Sequence, residues 1–228
     1  MIIDWGVEAG LHVFCAVLAW SRFRFVRFAA DEKAATTFAV LAECFETLGG
    51  VPKMVLADRM GCLKSGVVAN VLVPTPDYVR FATHYGFRPD FCEAADPESK
   101  GMVEHLVGYA KRDLMVPQQP FDDHGTANEA AAVWCAEVNA VTHSEIYAVP
   151  AERLAVEQPV LGPLPSLRLE LGARPVTRKV DRLSCVRFGS ARYSVPCRLI
   201  GHQVTLTTTA TMITVIEPVS GEVLAEHR

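Results

Sequence analysis

Apolar positions in this chain recur with period two near its start, at spacings of three and four through its middle, and with period two again from residue 176. Short alternating or continuous apolar runs read as strands, and three-and-four spacing reads as helices that bury one side. Residues 1–4 are the end of a short strand that Trp5-Gly6 breaks. Residues 13–19 and 23–28 are two more, joined tightly through Trp20-Ser21-Arg22. In the third strand Phe23, Phe25 and Arg27 face away from Arg24, Val26 and Phe28. Ala34, Phe38, Leu41, Ala42, Phe45 and Leu48 predict a helix over 33–48 that Gly49-Gly50 ends. A buried strand over 51–57 then delivers Asp58 at its carboxyl end. Residues 77–85 predict a helix stopped by Gly86, and 88–94 a fifth strand. Gly61, Gly66, Asn70 and Pro74 punctuate 59–75 as a loop or a small hairpin, and the pattern leaves that choice open. The sum is an α/β layer built on a mixed five-stranded sheet. Ligands of such sheets gather at the carboxyl ends of strands, the address predicted for Asp4 and Asp58.

The strongest helical signal spans 94–115. Pro97 and Ser99 start it, and Val103, Leu106, Val107, Ala110 and Leu114 fall within about 100° of arc, a stripe that faces a core. Glu104 lies at the edge of that stripe, with Gly108 and Lys111 on its own face. The polar stretch 95–101 predicts a loop ahead of it. Further on, 128–141 is a helix with Val133, Trp134, Val138 and Val141 as its packing side, 150–156 a short helix, and 159–165 a Pro-rich linker. Strands at 176–180, 185–188, 192–195, 203–208, 211–216 and 222–227, separated by Gly-containing turns, predict a small antiparallel β-barrel. The expected organisation is a core over 1–118, a helical connector and linker over 119–165, and the barrel over 166–228.

Composition narrows the function classes. Half of the 228 residues are hydrophobic, so the chain is globular. The apolar run 13–20 is too short for a bilayer, the first residues have no basic leader pattern, and no membrane partner is expected. Seven scattered cysteines without a C-x-x-C pair fit a reduced, cytoplasmic setting and argue against structural zinc. From Leu164 onward nine Arg/Lys face five Asp/Glu, a charge of +4, which leaves −8 for the preceding residues. An acidic front and a basic tail suit a cation site and a polyanion surface, or two ordinary solvated faces.

Asp4, Asp58 and Glu104 are the acids with a shared address. Each alone is a turn residue or a solvated charge as readily as a ligand. Gathered, they would repel one another, and a cation is the physical reason to bring them together. Carboxylate-only ligation suits Mg²⁺ or Mn²⁺, and two such ions about 3.5–4 Å apart would serve phosphodiester chemistry.

Several blocks, in order, add to this: IDWG at 3–6, VPKMVLADRM at 51–60, HYGFRP at 84–89, DPESKGMVE at 96–104 and VGYAKRDL at 107–114. They resemble the integrase-type catalytic core of the IstA-like transposases of the IS21 family. RYSVP at 192–196, GHQV at 201–204 and the terminal AEHR resemble the small barrel that follows that core. The resemblance covers nearly the whole chain. It implies a ribonuclease-H-like fold with a DDE triad of Asp4, Asp58 and Glu104 binding two Mg²⁺ (or Mn²⁺) ions. It also implies cleavage at a transposon end, then attack of the freed 3′-hydroxyl on target DNA. Lys100, Lys111 and Arg112 are the candidates for DNA phosphate contact; His84 and His105 are lone histidines that could assist, and Trp5 reads as packing. The implied partners are transposon-end and target DNA, a helper AAA+ ATPase and further copies of the chain on DNA. A catalytically idle DNA-binding remnant and another ribonuclease-H-like nuclease are the competing readings.

Two departures from the family pattern stand out. Asp58 and Glu104 are separated by 45 residues, more than in retroviral integrases, and 59–75 can hold the excess. The chain begins three residues before Asp4, without the helix-turn-helix region that the family carries ahead of its core. The expectation is a truncated chain with a competent triad and poor autonomous transposition.

Overall fold

The computed structural model describes all residues except 9, 59, 70, 93–96, 116–120, 122, 170–172 and 209–211, and the side chains of 8, 97–100, 173 and 174 lie outside the description as well. The chain divides into two compact units, Met1–Leu169 and Glu170–Arg228.

The first unit is built on a mixed sheet in the order β3-β2-β1-β4-β7. Strands β1 (Ile2–Glu8), β2 (Leu11–Val17) and β3 (Arg24–Ala29) form an antiparallel meander. β4 (Met54–Ala57) joins β1 in parallel, and β7 (Arg88–Phe91) joins β4 in parallel. Parallel neighbours need a crossover, and the helices α1 (Ala34–Leu48) and α2 (Pro76–Tyr85) supply them. The segment left open by the sequence pattern is a hairpin of β5 (Lys64–Val68) and β6 (Val71–Pro74), which takes up the extra length between Asp58 and Glu104.

Both faces of this sheet are covered. Below it, α1 and α2 stack an aromatic cluster in which Phe38 and Phe81 lie 4.9 Å apart, with Phe45, Tyr78 and Phe87 around them. Such ring pairs contribute about 0.5–1.5 kcal/mol beyond their burial. α1 stops where Gly49 adopts φ 73°, a left-handed turn that costs glycine nothing. Above the sheet lie α3 (Pro97–Tyr109), a wider π-type turn over Ala110–Met115, and α4 (His124–Ala140). Val103, Leu106, Ala110 and Leu114 pack there on Ile2, Cys15, Val17, Val26 and Phe28. α3 already begins at Pro97, so the loop predicted over 95–101 is shorter than expected; residues 95 and 96 lie outside the described residues.

α4 buries Ala127, Ala131, Trp134 and Val138, spaced by three and four, whereas Val133 and Val141 are exposed. Val133 sits more than a quarter of a turn off that stripe, and Val141 follows the last helical residue in extended backbone, so neither faces the sheet. Small alanines at 127 and 131 let α4 approach β3 closely, and two asparagines use that proximity. Asn128 accepts from Phe28 N–H at 2.7 Å and donates to Phe28 C=O at 3.0 Å. Asn139, 2% exposed, does the same for Arg24 at 2.9 and 2.8 Å. Each amide imitates a neighbouring strand and closes the open edge of β3. α5 (Pro150–Glu157) follows. The stretch predicted as a linker is tied down at Gly162, which exchanges two backbone hydrogen bonds with Val51, and just beyond it both Arg168 N–H arms grip Glu46.

The second unit has β8 (Ala173–Lys179), β9 (Cys185–Phe188), β10 (Ala191–Ser194), β11 (Gln203–Thr208), β12 (Ile213–Ile216) and β13 (Val223–His227). All six strands stand close to their predicted places. They form a four-stranded antiparallel sheet, β13-β12-β11-β8, and a β9–β10 hairpin, with no continuous ring among the described residues. Val180, Val186, Val195, Val204, Leu206 and Val215 are its core.

Candidate active site

β1 does not stop at Trp5-Gly6; it runs through to Glu8 and puts Asp4 in mid-strand. The predicted strand end is therefore corrected, and Gly6 has a different purpose. A Cβ at Gly6 would stand 2.6 Å from Val107 Cγ1, 3.2 Å from Val13 Cγ1 and 3.4 Å from Lys111 Cε. Glycine is there because α3 crosses the strand at close range. Trp5 points to the other face, where it lies 5.2 Å from the Phe14 ring and donates Nε1–H to Thr37 Oγ1 at 3.2 Å. Its role is packing.

The parallel pairing of β1 with β4 matches Ile2 to Leu56 and Ile3 to Ala57. Leu56 N–H donates to Met1 C=O at 2.9 Å, and one repeat later Asp58 N–H donates to Ile3 C=O at 3.2 Å. Asp58 thus continues the ladder beside Asp4. Side chains alternate along a strand, so Asp4 shares a face with Ile2, and Asp58 with Leu56. Ile2 is in the core beneath α3 and Leu56 packs against it. The two carboxylates therefore stand on the α3 face of neighbouring strands, with backbones about 4.8 Å apart. Asp4 Oδ1 accepts the Trp5 N–H at 2.8 Å, which orients its carboxylate.

Glu104 is exposed on α3. Val107 lies over Gly6, and Lys111 Nζ donates to Val7 C=O at 2.8 Å, so α3 runs in the direction of β1. Stepping back from Val107 to Glu104 is about 4.5 Å of helix, and from Gly6 to Asp4 about 6.7 Å of strand. Glu104 thus lies at the level of Asp4, on one flank of the helix that covers it. Cys15, the register partner of Asp4, senses the same surroundings: burial first, then Cys135 and Asp4, push its thiol up, while Lys111 opposes them. Among the described residues no three His, Cys, Asp or Glu side chains already converge on a metal position.

The basic candidates separate. Lys100 is on the first turn of α3, with its side chain outside the described residues. Lys111, on the π-type turn, ties the helix to β1. Arg112 is exposed one position on, lining a cleft on the other flank of α3. His105 lines that same cleft, and His84 is on α2, across the sheet from the acids, against Leu167 C=O at 3.0 Å. Neither histidine joins the acids. Gly6 is the positioning residue that sequence reasoning took for a strand breaker; the signal for it was a glycine set between Trp5 and Val7 in a stretch that otherwise reads as strand.

The comparisons with known proteins follow the two units. Residues 164–228 match the Mu transposase C-terminal domain. The chain is 29% identical over 228 residues to a transposase for an IS21-like insertion sequence element of Bacteroides fragilis, covering 97% of this chain and 44% of that protein. It is 32% identical over 194 residues to the IS21 transposase of Pseudomonas aeruginosa, covering 83% of this chain and 48% of that protein. The chain thus spans about half the length of the curated relatives it matches. Among solved structures, the catalytic core domain of BIV integrase superposes with a TM-score of 0.55 at 13% identity, covering 70% of this chain and 95% of that one. That likeness establishes the integrase, ribonuclease-H-like fold of the core. No described helix is long and apolar enough to cross a membrane. In sequence over most of its length this chain is similar to the IS21-family transposases, and in fold it is similar to an integrase catalytic core.

Proposed function

We propose that the chain carries the catalytic core of a DDE transposase, with Asp4, Asp58 and Glu104 as its metal-binding acids. The observation that carries this reading is the side-by-side arrangement of Asp4 and Asp58 on neighbouring parallel strands, beneath the helix that bears Glu104. Two adjacent carboxylates with oxygen-only donors fit a hard divalent cation such as Mg²⁺ or Mn²⁺. Bound there, two such ions would stabilise charge on the attacking and leaving oxygens of a phosphodiester. Asp4 and Asp58, fixed by the ladder, form the rigid half of the donor set. Glu104, on an exposed flank, is the half that moves in as the site fills. Lys111 holds the helix in register with β1 through Val7, while Lys100 and Arg112 contact DNA phosphates.

The reaction is hydrolysis at a transposon end followed by attack of the new 3′-hydroxyl on target DNA. The relatives are about twice as long as this chain. Assembly into a multimer on DNA and engagement of a helper AAA+ ATPase belong to the same proposal. The test is strand joining with a pre-nicked end and Mn²⁺. The wild-type chain should join ends and Asp58→Asn should not. Equal behaviour of the two would leave the idle DNA-binding remnant as the better reading.

A further inference from the structure

α3 has a second flank. Viewed along the helix, Glu104 and Lys111 stand on one side of the buried stripe, while His105, Tyr109 and Arg112 stand on the other. The second flank walls a cleft of about 230 Å³ whose remaining walls come from the β2–β3 turn and the segment after α4. At ~30 Å³ per water this holds about eight waters, room for a phosphate group and part of its hydration.

The lining is basic. Arg22, Arg24 and Arg112 contribute three guanidinium groups, His105 and His143 two imidazoles, and Glu145 a carboxylate. Arg22 is the telling residue. Its side chain is only 16% exposed, and its backbone is held at φ 59°, a left-handed conformation a non-glycine residue adopts at a cost. Its partners are poor for a buried cation: Nη1 meets the thioether of Met102, and Nη2 is 3.4 Å from Glu145. Its Nε is buried with no hydrogen-bond partner among the described residues. A desolvated guanidinium with a donor left over beside Glu145 has the chemistry to take a further anion. Arg24 is half-buried, 5.5 Å from the Tyr109 ring centre, with Nη1 on Val138 C=O at 3.3 Å. His143 Nδ1 accepts the Glu145 N–H at 3.2 Å, which leaves the proton of the neutral ring on Nε2 as a further donor. Asp113 lines the adjoining hollow, but its carboxylate is engaged by Trp134 Nε1–H at 2.7 Å.

We propose that this cleft is a phosphate-binding site that holds a backbone phosphate of DNA on the flank of α3 away from the acids. The DNA source rests on the function proposed above; the phosphate chemistry does not. A strand held there would be anchored about one helix diameter, ~10 Å, from the Asp4–Asp58 pair.

Two titrations of the full chain without divalent metal test this, so that failure of the catalytic reading and failure of this one are distinguishable. Inorganic phosphate is titrated while the amide signals of residues 22–24, 105–112 and 143–145 are followed by NMR. Duplex DNA is titrated by fluorescence anisotropy from low to high salt. The variants are Arg22→Gln, the exposed Arg112→Glu, which keeps the test informative if the first fails to fold, and Arg80→Glu on α2 across the sheet as a charge-matched control. The expected result is saturable phosphate shifts in those segments, lost in the two cleft variants. DNA binding should weaken at least tenfold in them, with the slope of log K against log salt falling by roughly one. Phosphate shifts lost while DNA binding stays at the Arg80→Glu level would support the pocket but assign it to a free phosphate and overturn the DNA source. No phosphate response, with all three variants alike on DNA, would overturn the site.

Discussion

Gly6→Ala is the most direct test of how the acids are held at their level. The change adds one methyl group, and β1 backbone accepts alanine without strain, so everything turns on space. That methyl would stand 2.6 Å from Val107 Cγ1, against an optimum of about 3.5–4.0 Å between carbons, so α3 and β1 must part by about 1 Å. Overpacking of this kind costs about 1–3 kcal/mol, and relief of glycine's backbone entropy returns about 0.5–1. The net is a loss of up to about 2.5 kcal/mol, or up to roughly 10 °C in the melting temperature of a unit this size. Strand joining should suffer more than stability, since a 1 Å displacement of a catalytic element can cost about 100-fold. Val107→Ala removes the opposing methyl groups, so the double variant should recover much of both losses. The assays are thermal denaturation by circular dichroism and end joining with Mn²⁺, on both single variants and the double. Additivity within about 0.5 kcal/mol would refute the claim that this contact sets the helix over the strand.

Three further outcomes are expected. Asn139→Ala leaves both peptide groups of Arg24 unmatched beside α4 and should cost about 2–4 kcal/mol in chemical denaturation; a loss under 1 would show that water closes this edge equally well. Tyr78 is fully buried and its hydroxyl lacks a hydrogen-bond partner among the described residues, so Tyr78→Phe should stabilise by about 1 kcal/mol, and a lower melting temperature would contradict that. Asp31 is held down to about 2 by its hydrogen bonds with Lys33 and Thr36, below its ordinary 3.8. A depressed carboxyl stabilises the fold above its unfolded value and loses that contribution as pH falls from about 4 towards 2. Asp31→Asn should flatten stability across that window by under about 1 kcal/mol, since the pair is exposed to solvent and salt. An unchanged acid profile would remove Lys33 from the account.

Much of the core is written in local pattern. The strands around residues 13 and 26, the helix ending at Gly49, the stripe of Val103, Leu106, Ala110 and Leu114, and the six strands of the second unit all follow from periodicity and turn residues, which act over a few positions. The three acids were legible as types at plausible addresses, and the quoted blocks pointed to a family whose relatives the comparisons then found. The packing side of α4 was misjudged because Val133 and Val141 are more apolar than Ala127 and Ala131, yet close approach to an edge strand favours the smaller side chain.

What the amino-acid order determined by itself is the list of elements and the residue types each presents, because hydrophobic period and glycine or proline placement are short-range effects. Only the tertiary structure decided that Gly6 lets α3 cross β1, that Asp58 extends the ladder beside Asp4, and that Arg22, Arg24, Arg112 and His143 share one cleft. Those are meetings of residues tens of positions apart, made when two sheet faces are buried at once, and no local pattern encodes which side chains the burial will bring together.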